Sequence, residues 1–321
     1  MLRTHPPLPL LLLIALLLTA VGCVSTTPND GDDGSGDDAN QEEVDPDPTA
    51  PLAALSDDDC PDLSAPGIST FSSSGIDRKV AVLFPDDAPS DMPVLFYFHG
   101  LTNVGSNPVE SMEASLQAEA EARDIVIVVP ESREIEMPIV GPMLTWGILD
   151  DAEPDLVLYD DLRTCIATEL NVDLKRFSLW GHSGGGLWTS VVLMDRSDTL
   201  AAASEFSGGA DFEIPMIGGP YVPYRTPARQ TPVLLVSGGT SDVWPQGLGI
   251  VNFESTTDTL QDQLVEDGHY VVRCRHDQGH YNFPNDAWTF SLAWSLDHRF
   301  GVESPIGDDD ILSWCEVAGT D

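Results

Sequence analysis

The predicted fold depends on one stretch, FSLWGHSGGG at residues 177–186. An apolar run ends there in Gly-x-Ser-x-Gly, and residues 187–193 continue in a pattern that suits a helix. Strand, sharp turn and helix is the context in which this motif holds a serine hydroxyl above the edge of a sheet. Such a turn needs neighbours without a Cβ, which Gly181 and Gly185 supply. We therefore expect Ser183 at a strained turn between a strand and a helix.

Strand and helix patterns alternate over most of the chain. Unbroken apolar runs, as at residues 92–98, are typical of strands that are buried on both faces. The predicted strands cover 78–84, 92–98, 125–129, 177–180, 201–206, 232–237 and 270–275, and the predicted helices cover 108–122, 155–170, 252–267 and 285–300. Residues 210–231 contain four prolines and are predicted to be a loop without helix or strand. This alternation predicts an α/β fold with a mainly parallel sheet and helices on both faces.

The first 22 residues resemble a secretion signal. Arg3 and His5 precede an apolar run at residues 8–18, and small residues lead to Cys23. The ending Ala-Val-Gly-Cys resembles a bacterial lipoprotein signal. That resemblance implies that Cys23 is acylated as the mature N-terminus, and that the protein is exported and held at a membrane. A plain secretion signal with an incidental cysteine is the alternative.

Two further segments follow the predicted signal. Residues 23–59 are rich in Asp, Gly, Pro and Ser and poor in large apolar residues. Such a segment buries too little apolar surface to offset its chain entropy, so we expect a disordered acidic tether. Residues 60–321 then have the length of one α/β domain.

The charge of the chain is strongly acidic. It has 53 acidic residues against 14 lysines and arginines, and a formal net charge of −39. Such a field repels nucleic acid and anionic lipid head groups, so binding to nucleic acid is not predicted. A solvated acidic surface is the simplest interpretation of this charge.

Four cysteines lie in the predicted domain, namely Cys60, Cys165, Cys274 and Cys315. An even number in an exported chain predicts two disulfides, and three pairings are open. Cys60 and Cys315 lie near the two ends of the domain, where a bridge would hold the termini. The chain has no Cys-x-x-Cys spacing, so a zinc site is not predicted.

Three side chains suited to nucleophilic catalysis follow predicted strands. Ser183 ends one strand, Asp242 lies a few residues past the strand 232–237, and His280 follows the last strand. We expect them to meet, because sites of open α/β sheets lie at the carboxyl ends of the strands. His280 would take the Ser183 proton and return it to a leaving group, while Asp242 would hold the imidazole tautomer. The chain order Ser, Asp, His is that of an α/β-hydrolase.

Two backbone N–H groups are candidates for binding an oxyanion. Gly184 directly follows the serine at the predicted helix N-terminus, and Leu101 follows His99-Gly100 at the end of the strand 92–98. The side chain of His99 is expected to be structural and to pack beneath this loop.

Other residues could take the roles of base and acid. His276 is the alternative base, and Asp211 and Asp258 are alternative acids, although Asp258 falls inside a predicted helix. His276 and His280 would form a metal-binding pair only on a helix, and Gly279 argues against a helix there. Neither a metal nor an organic cofactor is predicted.

Aromatic residues near these positions could contact a substrate. Trp244, two residues past Asp242, and His182, inside the serine motif, are the predicted substrate contacts. Trp146, Trp188 and Tyr281 are further candidates, and packing in the core explains each of them at least as well.

The order and spacing of these motifs over about residues 68–300 resemble a group of secreted esterases. This group contains feruloyl esterases and polyhydroxybutyrate depolymerases. The matching motifs are FHGLT at 98–102, YDD at 159–161, GHSGG at 181–185, GGTSD at 238–242 and QGH at 278–280. The resemblance implies an α/β-hydrolase fold and hydrolysis of a small-molecule or polymeric carboxylic ester through an acyl-enzyme, without a cofactor.

This chain departs from the group at two positions. His182 stands where many members carry another residue, and GHYN at 279–282 matches their histidine loop only loosely. The acyl group, feruloyl or short, is therefore left open. The alternatives are a polyester depolymerase, a peptidase or an acyltransferase of the same fold, or a surface-binding protein without catalytic activity.

Overall fold

The computed structural model describes residues 49–57, 59–137 and 141–319, which belong to one compact unit, Pro46–Asp321. The strands are β1 (Gly67–Ser73), β2 (Ile76–Leu83), β3 (Met92–Phe98), β4 (Thr102–Asn103), β5 (Val126–Pro130), β6 (Arg133–Met137), β7 (Gly141–Thr145), β8 (Val172–His182), β9 (Ala202–Phe206), β10 (Phe212–Ile214), β11 (Gly218–Tyr221), β12 (Val233–Ser237), β13 (Val243–Trp244), β14 (Val251–Asn252), β15 (Val271–Arg275) and β16 (Cys315–Val317). The helices are α1 (Pro108–Arg123), α2 (Glu153–Glu169), α3 (Gly184–Arg196), α4 (Phe253–Glu266) and α5 (Ala287–Asp297).

Nine of these strands form the central sheet, in the order β1-β2-β5-β3-β8-β9-β12-β15-β16. From β5 to β15 neighbouring strands run parallel, whereas β1, β2 and β16 are antiparallel at the two edges. Every residue of β3, β5, β9 and β12 is buried, which requires that both faces of the sheet are covered. The predicted α/β class is confirmed.

Alternate residues of the central strands pack against opposite layers of helices. In β3, Phe96 and Phe98 belong to the apolar cluster that contains α2, α3 and α4, whereas Leu95 and Tyr97 belong to that of α1 and α5. This follows from the two-residue period of a strand. Because the central strands run parallel, the loops that follow them meet at the carboxyl ends of the strands, where the candidate site lies.

One prediction of local structure is wrong in part. Residues 210–231 are not without regular structure, because β10 and β11 form a hairpin there. Both strands of a two-stranded hairpin are edge strands, which tolerate a proline such as Pro220. The predicted strand 78–84 corresponds to β2, which pairs with β1 across a turn at Ser74 and Gly75, whose φ angles of 55° and 71° fit a type I′ hairpin turn.

Residues 49–57, which belong to the predicted tether, pack against the domain. The Ser56 N–H donates to Asp161 Oδ1 at 3.0 Å, and Arg163 Nη2 donates to the Ala50 carbonyl at 2.9 Å. These bonds attach the segment to α2, so the predicted domain start at residue 60 is too late. Residues 1–48, with the predicted signal and Cys23, lie outside the described residues. Within the described ranges, none of the helices has the length and apolarity needed to span a membrane.

Two disulfides link Cys60 to Cys165 and Cys274 to Cys315. The first attaches the segment before β1 to α2. The second joins β15 to β16 at directly paired positions. The prediction of two disulfides is confirmed, but the suggested bridge between Cys60 and Cys315 is wrong, because each end of the domain packs against a neighbouring element and not against the other end.

Candidate active site

Ser183 occupies the turn between β8 and α3, with φ 59° and ψ −123°. A positive φ strains a residue that has a Cβ, and the Ser183 N–H bond to the Phe206 carbonyl at 2.9 Å holds this conformation. The neighbouring glycines are required by space. A Cβ on Gly181 would lie 2.1 Å from the Gly185 carbonyl oxygen, and a Cβ on Gly185 would lie 2.0 Å from that of Phe98. The motif therefore folds into the strained turn that its sequence predicts.

The side chains of Ser183, His280 and Asp242 form one chain of hydrogen bonds. His280 Nε2 lies 2.9 Å from Ser183 Oγ, and His280 Nδ1 lies 2.7 Å from Asp242 Oδ1. A carboxylate only accepts, so Nδ1 donates to Asp242 and Nε2 of the neutral ring accepts from the serine hydroxyl. The exposed fractions are 0% for Asp242, 1% for His280 and 9% for Ser183. Of these three side chains, only that of Ser183 therefore reaches the surface.

Asp242 lies in the loop after β12, at the end of the short 3-10 turn Gly239–Ser241. Its Oδ2 accepts from Ser207 Oγ at 2.8 Å and from the Gly238 N–H at 2.7 Å. Burial would raise the pKa of this carboxyl, but hydrogen bonds from His280 and Gly238 outweigh burial and lower the pKa below its usual range. Asp242 is thus held ionised and oriented toward the imidazole.

The ring and the main chain of His280 are both fixed. The ring of Phe253, at the start of α4, stacks on the imidazole with centroids 4.5 Å apart and planes at 14°. On the other side, His182 Nε2 donates to the His280 carbonyl oxygen at 2.9 Å. Burial lowers the pKa of His182 to about 4, so this ring is a neutral donor at neutral pH. His182, a predicted substrate contact, therefore also supports the loop of His280.

The two predicted oxyanion donors flank Ser183. Gly184 is the first residue of α3, where the N–H has no partner within the helix and the helix dipole is positive. A Cβ on Gly184 would lie 3.0 Å from the Leu101 nitrogen, and a Cβ on Gly100 would lie 3.2 Å from the Ser183 Cβ. The loop after β3 thus approaches the serine closely because glycines occupy both contact positions.

Two cavities meet at Ser183, one of about 40 Å³ and one of about 300 Å³. Trp244, the other predicted substrate contact, lines both of them, and Tyr281 lines the larger one. Trp146 and Trp188, in contrast, are buried and stacked on each other with ring centroids 5.8 Å apart. Packing in the core accounts for these two tryptophans.

The alternative acids and base are engaged elsewhere. His276 Nδ1 accepts from the Gln278 N–H at 3.2 Å, and residues 276–279 are not helical, so the spacing to His280 does not place both rings on a helix face. Asp211 accepts from Gln263 Nε2 at 3.0 Å. Asp258 pairs with two arginines of β15.

Two residues of this site were not predicted from the sequence. Ser207, which donates to Asp242, directly follows β9, the strand next to β8 in the sheet. Its position at a strand end was a usable signal. Phe253, which stacks on His280, gave no signal, because an aromatic residue at the start of a helix is most often part of the core.

Comparison with solved structures identifies the fold. The native form of a protein called pOPH gives a TM-score of 0.59 at 18% identity, over 81% of this chain and 96% of that chain. A thermostable esterase gives 0.50 at 17% identity, over 72% and 62% of the two chains. Dipeptidyl peptidase 4 of Porphyromonas gingivalis gives 0.51 at 16% identity, over 73% and 35%. This chain has the α/β-hydrolase fold.

Comparison of sequences adds no closer relationship. No family model matches the chain, and no curated protein matches it either.

Proposed function

We propose that this protein is a serine hydrolase that cleaves a carboxylic ester through an acyl-enzyme. The observation that carries the proposal is the hydrogen-bonded series Ser183–His280–Asp242, with the serine at a strained turn beside two backbone N–H groups. A serine hydroxyl is a weak nucleophile at neutral pH unless an adjacent base removes its proton. Here the base is in contact and its own orientation is fixed by a carboxylate.

The reaction has two halves. Ser183 Oγ attacks the ester carbonyl carbon while its proton passes to His280 Nε2, and the N–H groups of Leu101 and Gly184 stabilise the resulting oxyanion. The carbon–oxygen bond to the alcohol then breaks, and His280 gives its proton to the departing alkoxide oxygen. Water repeats the sequence on the acyl-enzyme. Water transfers a proton to His280 and its oxygen attacks the same carbonyl carbon. The bond from that carbon to Ser183 Oγ then breaks, His280 returns the proton to Oγ, and the acid leaves. Asp242 stabilises the imidazolium in both halves.

The choice of an ester over an amide rests on two supports. The motifs resemble those of secreted esterases, and one structure with this backbone is described as a thermostable esterase. A dipeptidyl peptidase shares the fold, so the fold by itself does not choose the bond. Comparing p-nitrophenyl acetate with p-nitroacetanilide tests the choice, because the acyl group is the same. We expect hydrolysis of the ester only, and a faster amide reaction would contradict the proposal.

The catalytic assignment is tested by covalent labelling with a fluorophosphonate probe. The purified wild-type protein is expected to be labelled and Ser183→Ala is expected to be unlabelled. Ser115→Ala, at an exposed position of α1, is the matched control and is expected to be labelled like the wild type. Labelling of Ser183→Ala at the wild-type level would overturn the assignment.

The proposal extends to export and attachment to a membrane. Two disulfides support an oxidising compartment, and the sequence of residues 1–22 resembles a lipoprotein signal. A lipid on Cys23 would hold the enzyme at a membrane, with residues 24–48 as the spacer. Expression of Cys23→Ser in a bacterium is expected to move the protein from the membrane fraction to a soluble fraction. An unchanged membrane fraction would contradict the lipid anchor.

A further inference from the structure

We propose that the two cavities at Ser183 divide the substrate, with a short apolar acyl group in the smaller cavity and a larger, polar alcohol in the larger one. This inference rests on the proposed function and names its substrate class. It favours esters of short acids, such as acetyl to butyryl esters, over esters with a feruloyl or a long acyl group.

The smaller cavity is apolar and closely bounded. Its volume is about 40 Å³. A water-sized group needs about 10–15 Å³ of such space, so the cavity holds about three of them, or a chain of about two to four heavy atoms. Most of the side chains that line it are apolar, including Ile148, Leu149, Leu187, Phe212, Ile214 and Val251, and Thr145 adds a hydroxyl group besides that of Ser183.

The walls of the smaller cavity are parts of regular or anchored structure. Ile214 lies on the β10–β11 hairpin, and Val251 pairs with Trp244 between β14 and β13. The segment that carries Leu149 is held at Gly147, whose N–H donates to the buried Asp155 Oδ2 at 2.7 Å. A longer acyl chain would have to displace these elements, which packed structure resists.

The larger cavity has a different chemical character. Its volume is about 300 Å³, and hydroxyl side chains line it, including Thr102, Ser106, Ser111 and Tyr281. The side chain of Tyr281 is 55% exposed, so this cavity is open to solvent at that side. Hydroxyl groups and open space suit an alcohol that itself carries hydroxyl groups.

The position of His280 decides which cavity takes which part of the ester. The leaving oxygen must face His280 Nε2 to receive its proton. The ring of His280 borders both cavities, because Phe253, which stacks on it, lines the smaller one. Two of its ring contacts, His182 and Tyr281, line the larger cavity. The smaller cavity extends along α3 past Gly184 and Leu187. The alcohol therefore belongs on the side of the larger cavity and the acyl chain on the side of the smaller one.

The test keeps the alcohol constant and varies the acyl group. With p-nitrophenyl acetate, butyrate, hexanoate and octanoate, we expect the highest kcat/KM at acetate or butyrate and a fall of about 100-fold by octanoate. With methanol as the alcohol of both esters, methyl butyrate is expected to be hydrolysed faster than methyl ferulate. A kcat/KM that stays level or rises through octanoate, or faster cleavage of methyl ferulate, would overturn the inference.

Two variants of the β10–β11 hairpin test whether the smaller cavity determines the preferred acyl group. Ile214→Ala enlarges the smaller cavity and is expected to move the preferred acyl group from butyrate toward hexanoate. Met216→Ala changes a fully exposed side chain in the same hairpin and is expected to keep the wild-type order. If Ile214→Ala fails to fold, the wild-type ester series still decides the inference.

Failure of the inference and failure of the proposed function give different results. If the fluorophosphonate does not label Ser183, the proposed function fails. If Ser183 is labelled and the ester series runs in the opposite order, the hydrolase remains and the division of the substrate is wrong.

Discussion

The backbone N–H of Ser132 donates a hydrogen bond to Nε2 of His99 at 3.0 Å. Because Nε2 accepts, the proton of the neutral ring lies on Nδ1, which donates to the Gly100 carbonyl oxygen at 2.8 Å. The Gly100 carbonyl and the Leu101 N–H belong to the same trans peptide and point in opposite directions. His99, expected to be structural, therefore sets the direction of a proposed oxyanion donor.

Replacing His99 with leucine is expected to lower kcat by about 10- to 100-fold, because the oxyanion donor loses its orientation. His99→Asn keeps a donor near the position of Nδ1 and is expected to recover most of this loss. Steady-state kinetics with p-nitrophenyl acetate measures both variants, and KM is expected to change less than kcat.

His298 supplies a matched control for this change. It is also a buried histidine with both ring nitrogens hydrogen-bonded: Nδ1 donates to the Trp294 carbonyl, and Nε2 accepts from the Ser304 hydroxyl. His298→Leu is expected to lower the Tm as His99→Leu does, but to leave kcat near the wild-type value. Equal losses of kcat in the two leucine variants would show that His99 acts only through stability.

Asp242→Asn is expected to lower kcat by about 10³- to 10⁴-fold, because an amide no longer selects the imidazole tautomer that accepts the serine proton. Asp258→Asn removes a carboxylate that pairs with arginines of β15, away from His280. Its kcat is expected to stay within a factor of two or so of the wild type. A large loss of kcat in Asp258→Asn together with a small loss in Asp242→Asn would assign the catalytic acid to Asp258.

The contribution of His182 to the free energy of unfolding is expected to fall as the pH is lowered from 7 to 5, opposite in sign to that of Glu205. Burial lowers the pKa of His182 to about 4, whereas its unfolded value is near 6.5. Between these values the unfolded chain binds the proton and the folded protein does not, so this histidine stabilises the fold above pH 6.5 and loses that contribution toward pH 4. The expected loss is about 2 kcal/mol between pH 7 and pH 5.

Urea unfolding of His182→Gln at both pH values isolates this effect, because glutamine retains a donor for the His280 carbonyl and does not titrate. The variant is expected to show a smaller pH dependence than the wild type by the same amount. An identical pH dependence in the two proteins would assign the change to other groups.

Glu205→Gln is expected to raise the free energy of unfolding at pH 7. Burial raises the pKa of Glu205, on β9, to about 8, although a hydrogen bond from Ser190 and the charge of Arg273 act in the opposite direction. From about pH 4.5 to 8 the unfolded carboxyl ionises while the folded one stays protonated, so stability falls as the pH rises. Glutamine is neutral in both states and is expected to gain about 2–3 kcal/mol at pH 7.

Urea unfolding at pH 4 provides the internal control for Glu205→Gln. Both states of the wild type are largely protonated at this position there, so the variant and the wild type are expected to be nearly equal. A gain of the same size at both pH values would point to improved packing and not to ionisation.

The sequence was sufficient to predict which residues meet at the carboxyl ends of the strands, because each of them directly follows a predicted strand or lies a few residues beyond it. Ser183, Asp242 and His280 each follow a strand of a parallel sheet, and such strand ends share one edge. Leu101 and Gly184 follow from the same geometry. The chemistry of each residue type then limits the roles that it can take.

Features that depend on long-range packing could not be predicted. The pairing of Cys60 with Cys165 depends on the path of the first described residues along α2, which the spacing of the cysteines does not contain. The β10–β11 hairpin contains Pro215 and Pro220, and two more prolines follow it, so its local pattern indicates a loop. The smaller cavity is bounded by residues from distant parts of the chain, and its volume depends on how those parts pack.

The bridge between Cys274 and Cys315 also bears on aggregation. Without β16, the strand β15 would end the sheet with a row of unpaired backbone groups, which can recruit a strand of another molecule. β16 covers this row with only three residues, one of them the charged Glu316, and is therefore a poor template for further pairing. The disulfide keeps that cover in place even when the hydrogen bonds of so short a strand open. Oxidation of this pair thus protects the molecule against edge-to-edge association.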